Sequence, residues 1–417
     1  MTYREAVAQL YALGNEVSTA KLGLDRIRAL LNRLGDPQMS CRHVHVAGTN
    51  GKGSVAAMVE AGLRAAGVRS GLYTSPHLVE PVERIQIGGV PVSEDEFAGA
   101  YREVHNAAVR MMDAGEIDLH PTYFECITAM AFLLFRARRV EMAVMEVGLG
   151  GRLDATNVIA PDLCIITSID FDHQNFLGDR IEQIAAEKAG ILKPGVPAVF
   201  ARQSPAALTV LETRAAELGV PFLRADEACV SDLKVTRRGS SFLLDGERVD
   251  CPLAGDHQVD NAVVAALALR KLGYPVAGIA NAHWPGRLEL IGERPDIILD
   301  GAHNPAGARV LAAYLCRAYA GKKVHLIYGV MCDKPVAEMT AELFAWADSI
   351  AVTAPANTRA MPPSEVIRAA APHSNIEITP NIADALSLAR SKSAPDDAIV
   401  ITGSLFLVGE ARALLVK

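Results

Sequence analysis

Gly48-Thr49-Asn50-Gly51-Lys52-Gly53-Ser54 has the residue types and spacing to hold a phosphate chain. The glycines let backbone N–H groups turn inward, and a helix N-terminus adds partial positive charge. Lys52 would reach the outer phosphates, and the Ser54 hydroxyl would ligate Mg2+. The stretch departs from the Walker pattern. Val46 stands where the first Gly is expected, and Gly53 follows the Lys where Ser or Thr should, so the hydroxyl comes one residue late. The bland alternative is a Gly-rich turn with a solvent-facing lysine. Three further residues stand out. Glu146 closes the apolar run Met142-Ala143-Val144-Met145, where a carboxylate is costly unless paired or on a metal. It reads as a ligand or as half of a buried salt bridge. Ser75, followed by Pro76, is a loop residue at a strand's C-terminal end, and a simple turn role fits it as well. His173 follows the next apolar strand. Alone it is a surface histidine; beside Glu146 and a phosphate cradle it becomes a second candidate metal ligand.

The elements that would position these residues alternate. Residues 41–47 read as a strand entering the cradle and 55–64 as the helix leaving it. Residues 68–74, 141–147, 163–167 and 196–201 read as further strands. Residues 3–13, 25–34, 94–112, 122–135, 179–190 and 205–218 read as helices, with Ser93 and Glu96 as a capping box. Parallel strands of this kind bind ligands beyond their C-terminal ends. Residues 230–250 carry hairpin signals, and residues 257–273 read as a helix. Residues 275–285 show little regular pattern, and His283-Trp284-Pro285-Gly286-Arg287 reads as a hinge. A second alternation follows, with strands at 297–299, 323–330, 350–353, 376–379 and 398–402. The expected fold class is α/β: an N-terminal P-loop ATPase-like doubly wound domain over 1–284, and a smaller Rossmann-like α/β domain over 288–417.

Composition narrows the function classes. The chain has 417 residues, enough for two domains, with 50% hydrophobic and 21% charged residues. A net charge of −7 without a basic tract argues against nucleic acid as a partner. The seven scattered cysteines lack a CxxC pair, which fits a reducing compartment. Residues 1–20 lack a signal-peptide pattern, and no 18-residue apolar run exists. The expectation is a cytoplasmic protein without a membrane partner.

Jointly, several stretches resemble the Mur ligase superfamily in its folate branch, dihydrofolate synthase/folylpolyglutamate synthase. They are the cradle itself, Thr74-Ser75-Pro76-His77-Leu78, Glu146 to Asn157, Glu187-Lys188-Ala189-Gly190-Ile191, His257-Gln258 with Asn261, Pro285-Gly286-Arg287, and Asp300 to Pro305. The departure from the Walker pattern is the family's own form. The resemblance implies an ATP-dependent amide ligase. A carboxylate of dihydropteroate or a folate attacks the γ-phosphate, and the amine of L-glutamate then displaces phosphate from the acyl phosphate. It also implies two Mg2+ ions held by Ser54, Ser75, Glu146 and His173, and a carbamate on Lys188, which local pattern alone would make an ordinary helix lysine. ATP contacts would come from Gly48, Thr49, Asn50, Gly51, Lys52, Gly53, Ser54, Asn261, Arg287, Asp300 and His303. Pterin-side contacts would come from Lys21, Leu22, Gly23, Leu24, Thr122, Tyr123, Phe124, Glu125, Leu153, Asp154 and Ala155. The expected state is a monomer. Two rivals remain. A peptidoglycan-building Mur ligase usually has a domain before the cradle, where only 47 residues stand here, and reads Thr-Thr after the lysine. A P-loop NTPase acting as a switch would need a Walker-B Asp, which Glu146 could imitate.

Overall fold

The computed structural model describes residues 1–14 and 23–416. These fall into two compact units: residues 1–231, 243–249 and 260–282, and residues 232–242, 250–259 and 283–417. In chain order the first part of the chain forms α1 (Tyr3–Ala12), α2 (Asp25–Arg33), β1 (Arg42–Ala47), α3 (Lys52–Ala65), β2 (Ser70–Tyr73), β3 (Ile85–Ile87), β4 (Val90–Pro91), α4 (Glu94–Asp113), α5 (Tyr123–Ala137) and β5 (Met142–Glu146). Next come β6 (Leu163–Ile166), α6 (Gln174–Leu177), α7 (Ile181–Ala189), β7 (Ala198–Phe200), α8 (Pro205–Leu218) and β8 (Phe222–Arg224). Then follow β9 (Val230–Val235), β10 (Ser240–Leu244), β11 (Glu247–Cys251) and α9 (Asp256–Leu272).

The eight-stranded sheet has the order β4-β3-β2-β5-β1-β6-β7-β8 and is parallel from β2 to β8. β1 is its hub, buried at every residue after Arg42 and flanked by β5 and β6. Near-continuous apolar runs in β5 and β6 follow from helices covering both faces of a parallel sheet. One core cluster joins α1, α2, α4 and α5 to Tyr73, Ala143 and Met145; another joins α7 and α8 to Ala47, Cys164, Ile166 and Phe200. Each fully buried Leu or Phe contributes roughly 1.5–3 kcal/mol. α4 starts at the capping box of Ser93 and Glu96 that the sequence announces, and α5 at a second one, Thr122 with Glu125. A three-stranded sheet has the order β11-β10-β9.

Residues 275–285 depart from expectation. Val276–Asn281 is a 3-10 helix whose Gly278 lies on α3; a Cβ there would come 2.8 Å from the Gly62 Cα. Packing backbone on backbone needs small residues and leaves no apolar periodicity to read.

The second unit contains β12 (Glu289–Gly292), β13 (Asp296–Leu299), α10 (Pro305–Ala318), β14 (Val324–Tyr328), α11 (Val336–Leu343), β15 (Ser349–Val352), α12 (Pro363–Ala369), β16 (Ile376–Ile378), α13 (Ile382–Lys392), β17 (Ala398–Thr402) and α14 (Leu405–Leu415). Its sheet has the order β12-β13-β17-β14-β15-β16, parallel except at β12. Both large sheets are therefore of the α/β kind that the alternation predicts.

Candidate active site

The cradle forms where β1 ends. Gly48 has φ +150°, and a Cβ there would overlap the Thr167 hydroxyl, so the strand can turn only with glycine. Gly51 has φ +84°, is the N-cap of α3, and lies against the Asn261 amide, which a Cβ would strike. No side chain caps this helix end, which suits it to an anion. The loop is tied to the segment after β6: Thr49 N–H donates to Ser168 O at 2.8 Å and Thr49 Oγ1 to Asp170 O at 3.0 Å. Lys52 Nζ donates to the carbonyls of Gly48 and Thr49, both at 3.2 Å. Gly53 follows within α3, and Ser54 is buried in its first turn.

Lys188, an ordinary helix lysine by local pattern, is a buried neighbour of the cradle. It is 4% exposed, sits in α7, and donates from Nζ to the same Gly48 carbonyl at 2.7 Å. Burial, and then the Lys52 charge, pull its pKa down to about 7, with Asp172 and Asp154 acting the other way. Two lysines thus converge on one carbonyl under the cradle.

Glu146, 4% exposed, ends β5 opposite Val46 of β1, and its Oε2 accepts the Ser75 N–H at 3.1 Å. The structure therefore brings together Ser75 and Glu146. His173 lies after β6, with φ +51°, and its N–H donates to Asp172 Oδ1 at 2.9 Å. Among the described residues no three His, Cys, Asp or Glu side chains form a ready metal cage. The donors that the sequence singles out are the buried Glu146 carboxylate, the Ser54 and Ser75 hydroxyls and the His173 imidazole. That set fits Mg2+, which takes one or two carboxylates with phosphate oxygens and water rather than an all-protein cage.

The loop after β5 is organised by Asp154. Its Oδ2 accepts Gly148 N–H at 3.0 Å and Leu149 N–H at 2.9 Å, and its Oδ1 accepts Thr156 N–H at 2.9 Å and Thr156 Oγ1 at 2.5 Å. Burial raises its pKa while these donors oppose the rise. Gly148 lies flat on the Phe124 ring, where a Cβ would overlap it. Farther on, Arg152 N–H donates to Glu187 O at 2.8 Å and its guanidinium pairs with Glu187 Oε1 at 2.9 Å, which fixes the loop on α7 beside Lys188. Leu153 is half-buried and Ala155 buried.

At the start of α5, Glu125 Oε2 accepts from Thr122 N–H, Thr122 Oγ1 and Arg26 Nε, the last at 2.7 Å. Tyr123 stacks on Tyr11 with centroids 5.7 Å apart, and the Arg84 guanidinium lies 5.3 Å from its centroid. Arg84, 2% exposed, donates from Nε to His77 Nδ1 at 2.8 Å. His77 Nε2 therefore carries the proton toward Tyr11 Oη at 3.2 Å, and burial with the Arg84 charge pushes its pKa down to about 3. Gly23 and Leu24 enter α2, with Leu24 buried; Lys21 and Leu22 lie outside the described residues. Sequence reasoning missed Arg84, Tyr11, Asp170 and Asp172. The one available signal was an arginine heading the alternating run Ile85-Gln86-Ile87.

In the second unit Asp300, buried after β13, accepts Leu288 N–H at 2.9 Å and Ala302 N–H at 3.0 Å. Burial raises its pKa, and the Arg287 charge opposes this. Arg287 lies against Gly301, where a Cβ would overlap its guanidinium. His303 Nδ1 donates to Gly301 O at 2.8 Å. Burial and Arg287 also push the His257 pKa down to about 4.

Residues 46–269 match the family described as Mur ligase middle domain, and residues 286–405 match Mur ligase, glutamate ligase domain. The chain is similar to the dihydrofolate synthase/folylpolyglutamate synthase of Bacillus subtilis, 36% identical over 95% of each chain. That of Mycobacterium tuberculosis is 38% identical, with 94% of this chain and 89% of the relative covered. Among solved structures, Mycobacterium tuberculosis folylpolyglutamate synthase complexed with ADP and AMPPCP superposes with a TM-score of 0.92 at 35% identity, covering 100% of this chain and 99% of that one. Escherichia coli FolC in complex with DHPP and ADP gives 0.86 at 29% identity, covering 99% and 97%. Gly48 to Ser54, Glu146 to Asn157 and Asp300 to Pro305 lie inside this likeness, and the chain belongs to the Mur ligase family, in its dihydrofolate synthase/folylpolyglutamate synthase branch.

Proposed function

We propose that this ATP-dependent ligase joins L-glutamate to dihydropteroate, to reduced folates, or to both, releasing ADP and phosphate. The observation that carries the reading is the convergence of Lys52 and the buried Lys188 on the Gly48 carbonyl, beneath an uncapped α3 N-terminus and beside the loop that follows Glu146. A carboxylate is a poor acylating agent. Transfer of the γ-phosphate to it supplies a leaving group, and the protein's part is positioning and charge neutralisation. The backbone of Gly48 to Gly53 would hold the phosphates, with Lys52 swinging from its own loop carbonyls to the γ-phosphate. Asn261, Arg287, Asp300 and His303 would serve the nucleotide.

Mg2+ would be held by Ser54, Ser75, Glu146 and His173, and when bound it supplies a Lewis acid that neutralises phosphate charge. Lys188 would carry a carbamate. The modification needs a neutral amine, and a pKa near 7 supports one. For the pterin end, Gly23, Leu24 and the 122–125 and 153–155 stretches remain the proposed contacts, together with Lys21 and Leu22. In this structure Thr122 caps α5 and Asp154 braces its own loop, while Glu125 caps with Oε2 and keeps Oε1 buried without a hydrogen-bond partner among the described residues, so Tyr123, Phe124, Leu153, Ala155 and the Glu125 Oε1 are left to face a ring. The division into a domain over 1–284 and a glutamate ligase domain over 288–417 is supported by the two family matches. No helix among the described residues is long and apolar enough to cross a membrane. A cytoplasmic monomer is our reading, and the seven free cysteines support the reducing compartment.

Product analysis tests this. The protein is incubated with ATP, glutamate and either dihydropteroate or a reduced folate. Glutamylated product with stoichiometric ADP and phosphate is the expected result. ATP hydrolysis that needs neither carboxylate nor glutamate would favour the switch-type NTPase.

A further inference from the structure

His45 lies in the middle of β1, fully buried, three residues before the cradle. Its Nε2 is 2.8 Å from Thr156 Oγ1, which is 2.5 Å from Asp154 Oδ1. The proton directions follow from chemistry. Asp154 as a carboxylate only accepts, so the Thr156 hydroxyl donates to it, and the short distance marks a charge-assisted bond. Thr156 Oγ1 can then only accept from His45, which must carry its proton on Nε2. Burial first, then the Lys193 and His43 charges, push the His45 pKa down to about 3, so the ring is neutral and has one N–H to give. Its Nδ1 is buried with no hydrogen-bond partner among the described residues. An apolar side chain would avoid that penalty. Packing therefore does not account for an imidazole here, whereas the Nε2 donor does.

We infer that His45 is a positioning residue that holds the Thr156 hydroxyl on Asp154 and so sets the Gly148–Ala155 loop for the pterin end of the substrate. All four acceptor positions of Asp154 are filled by Gly148, Leu149 and Thr156. Its carboxylate thus fixes where the loop after Glu146 runs. Without the His45 donor the Thr156 hydroxyl is free to rotate, and one of those four bonds loses its fixed direction. β1 then acts as a common ruler: His45 sets the Asp154 loop, Val46 pairs with Glu146, and Gly48 opens the cradle. The inference rests on the proposed pterin-side role of residues 153–155.

The test compares His45→Leu, His45→Gln and Thr156→Val in the full chain. Gln can present a side-chain N–H close to where Nε2 stands; Leu and Val cannot. The Kd for dihydropteroate should rise roughly five- to tenfold in His45→Leu and in Thr156→Val, as expected for one buried hydrogen bond. The double variant should be no worse than either single one, because the residues act in series. His45→Gln should stay within about twofold of the wild type, and KM for ATP should hold in all. Amide exchange at Gly148 and Leu149 should quicken in the Leu and Val variants alone. The inference is overturned by equal losses for ATP and dihydropteroate, by Gln behaving as Leu, by additive losses, or by unchanged exchange at Gly148. If His45→Leu fails to fold, His45→Gln and Thr156→Val decide. A wild-type chain that binds no dihydropteroate removes the functional reading instead, and the exchange measurement still reports on the relay.

Discussion

Replacing Lys188 with Met separates the chemistry of its amine from its packing. With a pKa near 7 about half of the Lys188 amines are neutral at pH 7, against roughly one in three thousand for a lysine at its ordinary 10.5. The pool able to react with CO2 is therefore raised on the order of a thousandfold. A carbamate would replace a cation facing Lys52 by an anion, which turns that repulsion into attraction. The same shift has a stability consequence. Between about pH 7 and 10.5 the unfolded chain binds more protons at this lysine than the folded one, so stability rises with pH across that window. Below it the folded state carries the full penalty, on the order of 4–5 kcal/mol. Lys188→Met removes the penalty and loses one hydrogen bond to Gly48 O, worth about 1 kcal/mol. Without bicarbonate the variant should melt no lower than the wild type at pH 7, and should lack the rise in Tm toward pH 10. It should also lose most ligase activity and the carbamate signal that the wild type gives with 13C-bicarbonate. In Lys188→Ala, short carboxylic acids should partly restore activity by filling the vacated space. Near-normal turnover in Lys188→Met, or a wild type with no carbamate signal and no response to bicarbonate, would refute the reasoning.

Lys52→Ala should leave the fold intact and lower kcat on the order of 10²–10³-fold, as for loss of one preorganised charge contact; a normal kcat rules the loop out as the working cradle. Glu146→Gln should weaken the Mg2+ dependence of ligation, read by metal titration, and an unaltered requirement would make Glu146 purely a partner of the Ser75 backbone. Thr122→Ala should cost about 0.5–2 kcal/mol through the lost cap of α5, read as a lower urea midpoint with an unchanged m value. A midpoint equal to the wild type's would show that Glu125 and Arg26 hold that helix start without the hydroxyl.

What the sequence exposed and what it hid divide along locality. The cradle was legible because strand, glycine turn, lysine and helix lie within about twenty consecutive residues, and each obeys a local rule. Most elements with their own periodicity fell within a few residues of expectation, such as α8 and β17. Val276–Asn281 did not, because Gly278 packs backbone against Gly62 and that contact leaves no pattern. Lys188 is hidden for a stronger reason. Nothing in Ile181–Ala189 marks its one lysine as buried; only the arrival of the Gly48 carbonyl and Lys52 from far along the chain makes it so. Resemblance named Lys188, and tertiary burial supplies the physical cause. Glu125 shows the reverse case. The spacing Thr122-x-x-Glu125 is a capping box by local rule, and the structure uses it as one, pairing the carboxylate with Arg26 as well. A residue placed by resemblance on the pterin side thus already uses one carboxylate oxygen structurally, while the other, Oε1, is buried with no hydrogen-bond partner among the described residues. Asp154 goes further, with all its acceptor positions taken. The residues proposed for the pterin side and their supports are therefore of two kinds. Asp154, Glu125 and Thr156 hold backbone groups, with His45 proposed to hold Thr156, and in the proposed function the rings and aliphatic chains between them would meet the substrate. A change in the first kind should alter binding through geometry, and a change in the second through contact. Amide exchange separates the two where kinetics alone would not.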